Sequence, residues 1–185
     1  MKILGISTSP RPGSNGKIAL QNALEAAEAK GAETELINTA ELKIGPCIGD
    51  NFCKANEGKC VIKDDMTQIY EKILEADGII LTTPIYFCDV TSQAKAVIDR
   101  FYAFFMQEAI AEKLSSKTIS IIATNGVAPP EAIMPSLKVQ AEGFKLLGFN
   151  IRDIITLGDN NEPEASNEKE DQLAKAKAVG ENLVQ

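Results

Sequence analysis

Two short stretches of this sequence hold the residue types and spacings that could do chemistry. One stretch holds three cysteines and a carboxylate, which are potential metal ligands: Cys47, Asp50, Cys53 and Cys60. The other spans residues 7–17 and reads Ser-Thr-Ser-Pro-Arg-Pro-Gly-Ser-Asn-Gly-Lys, with many hydroxyl groups and two basic side chains. If a helix starts there, its free backbone N–H groups favour a phosphate. The sequence therefore predicts an anion site and a separate metal or thiol site.

Several other chemistries are excluded. The chain has no histidine, so Ser-His and Cys-His catalysis and imidazole zinc sites are absent. The 7–17 run is not a P-loop, because Lys17 is followed by Ile18, and it contains no Gly-x-Gly-x-x-Gly. An enzyme of this composition is expected to take its chemistry from a bound cofactor.

Composition points to a globular protein in the cytoplasm. The 185 residues carry a net charge of −7 with no basic block, which argues against partners such as nucleic acid or an anionic membrane. The apolar N-terminal run is too short for a signal peptide, and no stretch reaches the ~20 apolar residues of a membrane span. In a reducing cytoplasm, cysteines are expected as metal ligands, redox groups or core residues rather than disulfides.

The elements that must position these residues alternate between strand and helix. Five strands are predicted, at Lys2–Ser7, Thr34–Asn38, Gly78–Leu81, Thr118–Ala123 and Phe149–Leu157. This pattern predicts an α/β fold: a doubly wound, five-stranded parallel sheet of order 2-1-3-4-5. We expect one domain over residues 1–185, with a cysteine-rich insert at about 44–62 after strand 2.

Three smaller features carry structural expectations. A helix is predicted from Ser92 to Gln107, and its all-round apolar stretch at 101–106 favours a subunit interface bordering the ligand, with a central core helix as the alternative. Asp64 and Asp65 are expected to cap the helix that begins directly after them, rather than to bind a metal ion. Asp99 and Arg100 are expected to form an ion pair.

Two further loops should meet the 7–17 run, because the carboxyl ends of parallel strands share one edge of the sheet. Thr82–Asp89 follows the third strand with apolar and aromatic side chains, which suit a flat ring system. Thr124–Gly126 follows the fourth strand with polar groups. A phosphate site beside a planar apolar slot favours FMN.

The same residues carry a family resemblance. The sequences Ser-x-Arg-x-x-Ser-Asn at 9–15, Pro-Ile-Tyr-Phe at 84–87 and Lys-Ala-Val-Ile-Asp-Arg at 95–100 resemble the NADPH-dependent FMN reductase family, which is flavodoxin-like. The segment 47–66 narrows the resemblance to its iron–sulfur flavoproteins. It implies that the FMN phosphate is held by Ser9, Arg11, Ser14, Asn15 and Gly16. It also implies that the isoalloxazine is flanked by Pro84, Ile85, Tyr86 and Phe87, with Asn125 and Gly126 near its edge.

The chain departs from that family at two positions. Iron–sulfur flavoproteins have four cysteines in a compact motif, and this sequence has Asp50 in place of one of them. A [4Fe–4S] cluster with Asp50 as the fourth ligand is the leading hypothesis; a three-iron cluster, zinc, or no cluster at all are the alternatives. Cys88 is expected to be a packing residue. Gly16 stands where relatives often have threonine.

The resemblance implies an FMN-dependent oxidoreductase that transfers electrons, through an iron–sulfur cluster if the cysteine insert holds one. Its electron donor would be NAD(P)H or a ferredoxin-like protein, and its acceptor a small molecule or a protein. The alternatives are an NAD(P)H-dependent FMN or quinone reductase without a cluster, and a non-enzymatic flavodoxin-like carrier. A homodimer or homotetramer is expected.

Overall fold

The central strands are runs of apolar and β-branched residues, as expected for strands buried on both faces. The structure, a computed structural model, describes all 185 residues. Its strands are β1 (Lys2–Ser7), β2 (Glu33–Asn38), β3 (Gly78–Tyr86), β4 (Asp89–Val90), β5 (Thr118–Thr124) and β6 (Asn150–Leu157). Its helices are α1 (Asn15–Ala29), α2 (Phe52–Ala55), α3 (Met66–Glu75), α4 (Ser92–Arg100), α5 (Glu108–Ser115), α6 (Pro130–Leu146) and α7 (Glu170–Leu183).

Five of the strands form a parallel sheet in the order β2-β1-β3-β5-β6. This order is the predicted 2-1-3-4-5, with β5 and β6 as the fourth and fifth parallel strands, so the fold prediction is confirmed. The remaining strand, β4, pairs antiparallel with the end of β3. Topology therefore brings the ends of β1, β3, β5 and β6 to one edge.

Helices cover both faces of the sheet. One apolar cluster includes side chains of α1 and α7, and the larger cluster on the other side includes α3, α4 and α6. The close approach of α1 and α7 requires Gly180, because a Cβ there would lie 1.8 Å from the carbonyl oxygen of Ala23.

The predicted helix over 92–107 is wrong in its second half. α4 ends at Arg100, a 3₁₀ turn follows over Phe101–Ala103, and Met106 has a left-handed backbone with φ of 59°. The expected subunit interface is also partly core: Phe101 and Phe104 are buried, and Phe101 packs on Phe144 with a ring-centroid distance of 5.4 Å. Only part of this apolar stretch is therefore exposed.

The predicted loop at Thr82–Asp89 is mostly strand. β3 continues to Tyr86 and turns at Phe87 and Cys88 into β4. Apolar and β-branched residues extend the strand past the predicted end at Leu81, because they also suit a pleated backbone.

No helix combines the length and the hydrophobicity that crossing a bilayer requires.

Candidate functional site

A cavity lies at the carboxyl edge of the sheet, where loops from four strands meet. Its free volume is about 230 Å³. The loop after β1, the β3–β4 hairpin, the loop after β5 and the loop after β6 all line it. Its lining residues are Ser9, Arg11, Ser14, Asn15, Pro84, Ile85, Tyr86, Thr124, Asn125, Gly126, Asn160 and Asn161. The structure thus brings together nine of the eleven residues predicted to bind FMN, and leaves Gly16 and Phe87 outside the lining.

The start of α1 lines this cavity with hydrogen-bond donors. Ser14 is the N-cap residue, and its Oγ accepts a hydrogen bond from the backbone N–H of Lys17 at 3.1 Å. The backbone N–H groups of Asn15 and Gly16 have no acceptor within the protein. Free N–H groups and the helix dipole together favour a negatively charged ligand. The Ser9 Oγ accepts from the Arg11 N–H at 3.3 Å, which leaves both serine hydroxyl hydrogens free to donate.

The side chains of Arg11 and Asn15 connect the start of α1 to the loop after β6. Arg11 Nη1 donates to the carbonyl oxygen of Asn161 at 2.7 Å. Asn15 Nδ2 donates to the carbonyl oxygens of Asn160 and Glu162, at 3.2 and 2.8 Å, and its Oδ1 accepts from the Ser166 N–H at 2.9 Å. Because its amide is fully engaged, Asn15 offers a phosphate its backbone N–H rather than its side chain. Arg11 retains N–H groups for an anion.

Asn160 and Asn161 are site residues that sequence reasoning missed. Asn160 is buried, and its Nδ2 donates to the carbonyl oxygen of Leu157 at 2.9 Å. The available signal was their position: a pair of asparagines directly after the last strand must lie at the ligand edge of the sheet. Close packing here also explains Gly126, since a Cβ at that residue would lie 1.9 Å from Asn161 Oδ1.

The β3–β4 hairpin supplies the apolar wall. Ile85 and Tyr86 line the cavity, and Tyr86 is half exposed. The two turn residues, Phe87 and Cys88, both have left-handed backbones, with φ of 50° and 66°. Phe87 is fully exposed at the tip and does not line the cavity. Cys88 is likewise exposed rather than packed, so its predicted packing role is wrong.

The four predicted metal ligands line a second, smaller cavity. Cys47, Asp50, Cys53 and Cys60 line this cavity, whose free volume is about 10 Å³. Cys53 is buried, Cys60 is half-buried and Cys47 is exposed. No three cysteine or carboxylate side chains of the chain converge closely enough to hold one metal ion.

Arg100 lies in the wall of this second cavity and is 1% exposed. Its Nη1 donates to Asp64 Oδ2 at 2.8 Å and its Nη2 to Asp64 Oδ1 at 3.1 Å. Nη1 also donates to the carbonyl oxygen of Gly45 at 2.9 Å. The expected Asp99–Arg100 pair is therefore wrong, because Asp99 pairs with Lys95 one helical turn earlier.

Asp64 has more than the capping role expected of it. Its Oδ1 accepts from the Met66 N–H at the start of α3, at 3.1 Å, and its Oδ2 accepts from the Gly45 N–H at 2.8 Å. Asp65 forms no side-chain cap bond. Burial by itself would raise the pKa of Asp64, but the hydrogen bonds from Arg100 and Gly45 outweigh it and hold the pKa below its usual value.

The fold and both cavities can be compared with known proteins. The family model for NADPH-dependent FMN reductases matches residues 1–134. An iron–sulfur flavoprotein of Methanocaldococcus jannaschii is 50% identical over 87% of this chain and 78% of its own length. The chain belongs to the iron–sulfur flavoprotein branch of the NADPH-dependent FMN reductase family.

A second relative and a solved structure are also similar to this FMN reductase. An iron–sulfur flavoprotein of Methanosarcina thermophila is 43% identical over 54% of the chain, which spans 52% of that relative. A solved flavone reductase superposes with a TM-score of 0.75 and 25% identity, over 100% of this chain and 62% of its own. The family member is therefore a flavodoxin-like, FMN-dependent oxidoreductase.

Proposed function

We propose that this oxidoreductase binds one FMN in the cavity at the carboxyl edge of the sheet, with the phosphate at the start of α1. The observation that carries the proposal is the pair of free N–H groups at Asn15 and Gly16, beside the hydroxyls of Ser9 and Ser14 and the guanidinium of Arg11. A doubly charged phosphate satisfies such donors better than any neutral group. Gly16 contributes through its backbone, which explains why it need not line the cavity with a side chain.

The flat ring system would lie along the β3–β4 hairpin. Pro84, Ile85 and Tyr86 offer an apolar wall, and Phe87 stands beyond it at the hairpin tip. Asn125 and Gly126 line the same cavity, and their backbone or amide groups would meet a polar edge of the ring. FMN supplies the redox chemistry through its ring, so the protein needs no histidine base. The chain's own residues bind, orient and partly shield it.

We further propose that Cys47, Asp50, Cys53 and Cys60 hold a [4Fe–4S] cluster. A single metal ion requires all its ligands to converge on one atom, which these side chains do not do. In a polynuclear cluster each iron takes its own protein ligand, so the ligands surround a volume, and all four candidates line one cavity. When bound, a cluster of this kind supplies single-electron transfer.

Asp50 weakens that site. A carboxylate is a harder ligand than a thiolate and holds cluster iron less tightly. Asp50 Oδ1 also accepts a hydrogen bond from the Phe52 N–H at 3.0 Å, so one of its oxygens is already engaged in a local turn. This observation favours a second candidate function, an NAD(P)H-dependent FMN or quinone reductase that works without a cluster.

Anaerobic purification of the full chain separates these functions. The proposal expects one FMN per chain together with about four irons and four sulfides. Asp50→Cys should increase cluster retention in air, and Asp50→Ala should reduce it. Flavin without iron or sulfide, bleached by NADPH or NADH, would instead support the cluster-free reductase. Bleaching only by a reduced ferredoxin would identify a protein donor, and failure to pass electrons to quinones or free flavin would favour a pure carrier.

We also propose that residues 1–185 act as one domain that self-associates as a homodimer or homotetramer. Exposed apolar side chains line a groove between α4 and α6: Tyr102 is 40% and Leu146 74% exposed. Burying such a patch in a second copy would stabilise an oligomer. Light scattering at micromolar concentration should give a multiple of 19.9 kDa, and a monomer would reject the proposal.

A further inference from the structure

Three buried hydroxyl groups have no hydrogen-bond partner in the protein, and one of them lies under the start of α1. The three belong to Ser7, Thr39 and Thr82. Thr82 is near the end of β3 and 1% exposed, and its Oγ1 lies 3.5 Å from the position that a Cβ of Gly16 would take. Because a buried hydroxyl without a partner destabilises a fold, its place beside a ligand cavity points to a partner outside the protein.

The neighbours of Thr82 hold it in place without satisfying its hydroxyl. Its carbonyl oxygen accepts hydrogen bonds from the N–H and the hydroxyl of Thr8, at 3.0 and 2.7 Å. Ser7 is paired with Thr82 in the register of β1 and β3, so the two side chains share one face of the sheet, yet the Ser7 hydroxyl is also unpaired. The backbone of Thr82 is therefore fixed, and its hydroxyl hydrogen is free to donate.

The missing side chain of Gly16 links this hydroxyl to the donors at the start of α1. A Cβ at Gly16 would lie 3.5 Å from Thr82 Oγ1 and 3.7 Å from Ser14 Oγ, so the two hydroxyls flank one point. The backbone N–H of Gly16 is itself one of the two free donors of the helix start. The N-cap, the first turn of the helix and the end of β3 thus each bring a donor to the same place.

We propose that the Thr82 hydroxyl donates a hydrogen bond to the phosphate of FMN and so helps the site to select a phosphorylated flavin. This inference rests on the proposed FMN site. A phosphate has several acceptor oxygens, so it can accept from the N–H groups of Asn15 and Gly16 and from a hydroxyl beside them. Residue 16 has no hydroxyl of its own, and β3 supplies one to the space that it leaves.

Thr82→Val tests this role, because valine has nearly the same shape and lacks the hydroxyl. The variant apoprotein should bind FMN about 10-fold more weakly than the wild type, as expected for one hydrogen bond to a charged group. Riboflavin, which lacks the phosphate, should bind both proteins equally. Flavin fluorescence during titration measures the four affinities. Equal FMN affinities, or an equal loss for riboflavin, would overturn the inference.

Two controls use the same titration. Thr82→Ser keeps the hydroxyl and should keep the wild-type affinity for FMN. Thr118→Val changes a threonine at the opposite end of the sheet, at the start of β5, and should also bind FMN normally. A loss of FMN affinity in Thr118→Val as large as that in Thr82→Val would contradict a specific role for the Thr82 hydroxyl.

Stability and rescue separate a phosphate contact from a structural role. Removing an unpaired buried hydroxyl should leave the urea midpoint of the Thr82→Val apoprotein equal to that of the wild type or higher. A lower midpoint, or a variant that does not fold, would show that the fold needs the hydroxyl and would contradict the inference. Gly16→Ser in the Thr82→Val background places a hydroxyl in the same space, where a Cβ meets only ordinary contacts, and should restore FMN affinity. No recovery would overturn the inference.

These results also distinguish this inference from the proposed function. Wild-type apoprotein that takes up no FMN would reject the FMN site, and the role of Thr82 with it. Wild-type protein that binds FMN far more tightly than riboflavin, with Thr82→Val identical to it, would support the FMN site and reject only the role of Thr82.

Discussion

The two cavities are held together in different ways. At the cavity proposed to bind FMN, here called the flavin cavity, the sheet brings four loops to one edge, and side chains such as Asn15 and Asn160 already have their partners inside the protein. The cysteine segment is mostly exposed, is tied at its base by Arg100 and Asp64, and leaves one charged donor unsatisfied. The first site follows from the topology of the fold, whereas the second depends on a few long-range polar contacts. Substitutions should therefore affect the two sites differently.

The largest effect is expected at the base of the cysteine segment. Arg100→Met removes the only cation that pairs with Asp64, whose side chain is 13% exposed. Breaking a buried pair in this way costs about 3–5 kcal/mol, because it leaves an uncompensated charge. Urea unfolding of the variant should show this loss of unfolding free energy. Arg152→Met is the control for an exposed arginine, and an equal loss in both variants would contradict a special role for the Arg100–Asp64 pair.

A smaller effect is expected at the flavin cavity. Arg11→Ala removes a charge-assisted hydrogen bond to the phosphate, worth about 1.5–3 kcal/mol, so FMN should bind roughly 10- to 100-fold more weakly. Flavin fluorescence during titration of the apoprotein measures this change. Riboflavin lacks the phosphate, and its affinity should not change.

Lys30→Ala, an exposed position at the far end of α1, serves as the control and should bind FMN normally. If Arg11→Ala weakened FMN and riboflavin equally, Arg11 would act by holding the loop at Asn161 rather than by pairing with phosphate.

The smallest effect on unfolding free energy is expected from lowering the pH. The pKa of Asp64 is lowered in the folded protein, because the bonds from Arg100 and Gly45 outweigh burial. Its contribution to stability is therefore complete above the unfolded value of about 3.9 and is lost as pH falls through the lower folded value. Asp64→Asn should flatten the fall in unfolding free energy below pH 4. Asp171→Asn, on the exposed face of α7, should keep the wild-type slope, and identical slopes in all three proteins would count against Asp64.

Much of the fold and of the flavin cavity follows from local sequence patterns. Strand and helix periodicities predicted the sheet order, and the residues after β1, β3 and β5 predicted three of the four loops. Contacts between distant residues had no local signal: Asn15 bonds the carbonyl of Glu162, and Arg100 pairs with Asp64 instead of its neighbour Asp99. The break at Met106 was equally hidden, since methionine is an ordinary helix former and yet its backbone here is left-handed.

The most direct test of the central claim is a comparison of FMN and riboflavin binding to the wild-type apoprotein. We predict one FMN per chain, bound roughly 100-fold or more tightly than riboflavin, because two free N–H groups, two hydroxyls and Arg11 lie at the proposed phosphate position. Equal affinities for the two flavins, or a chain that takes up neither, would contradict it.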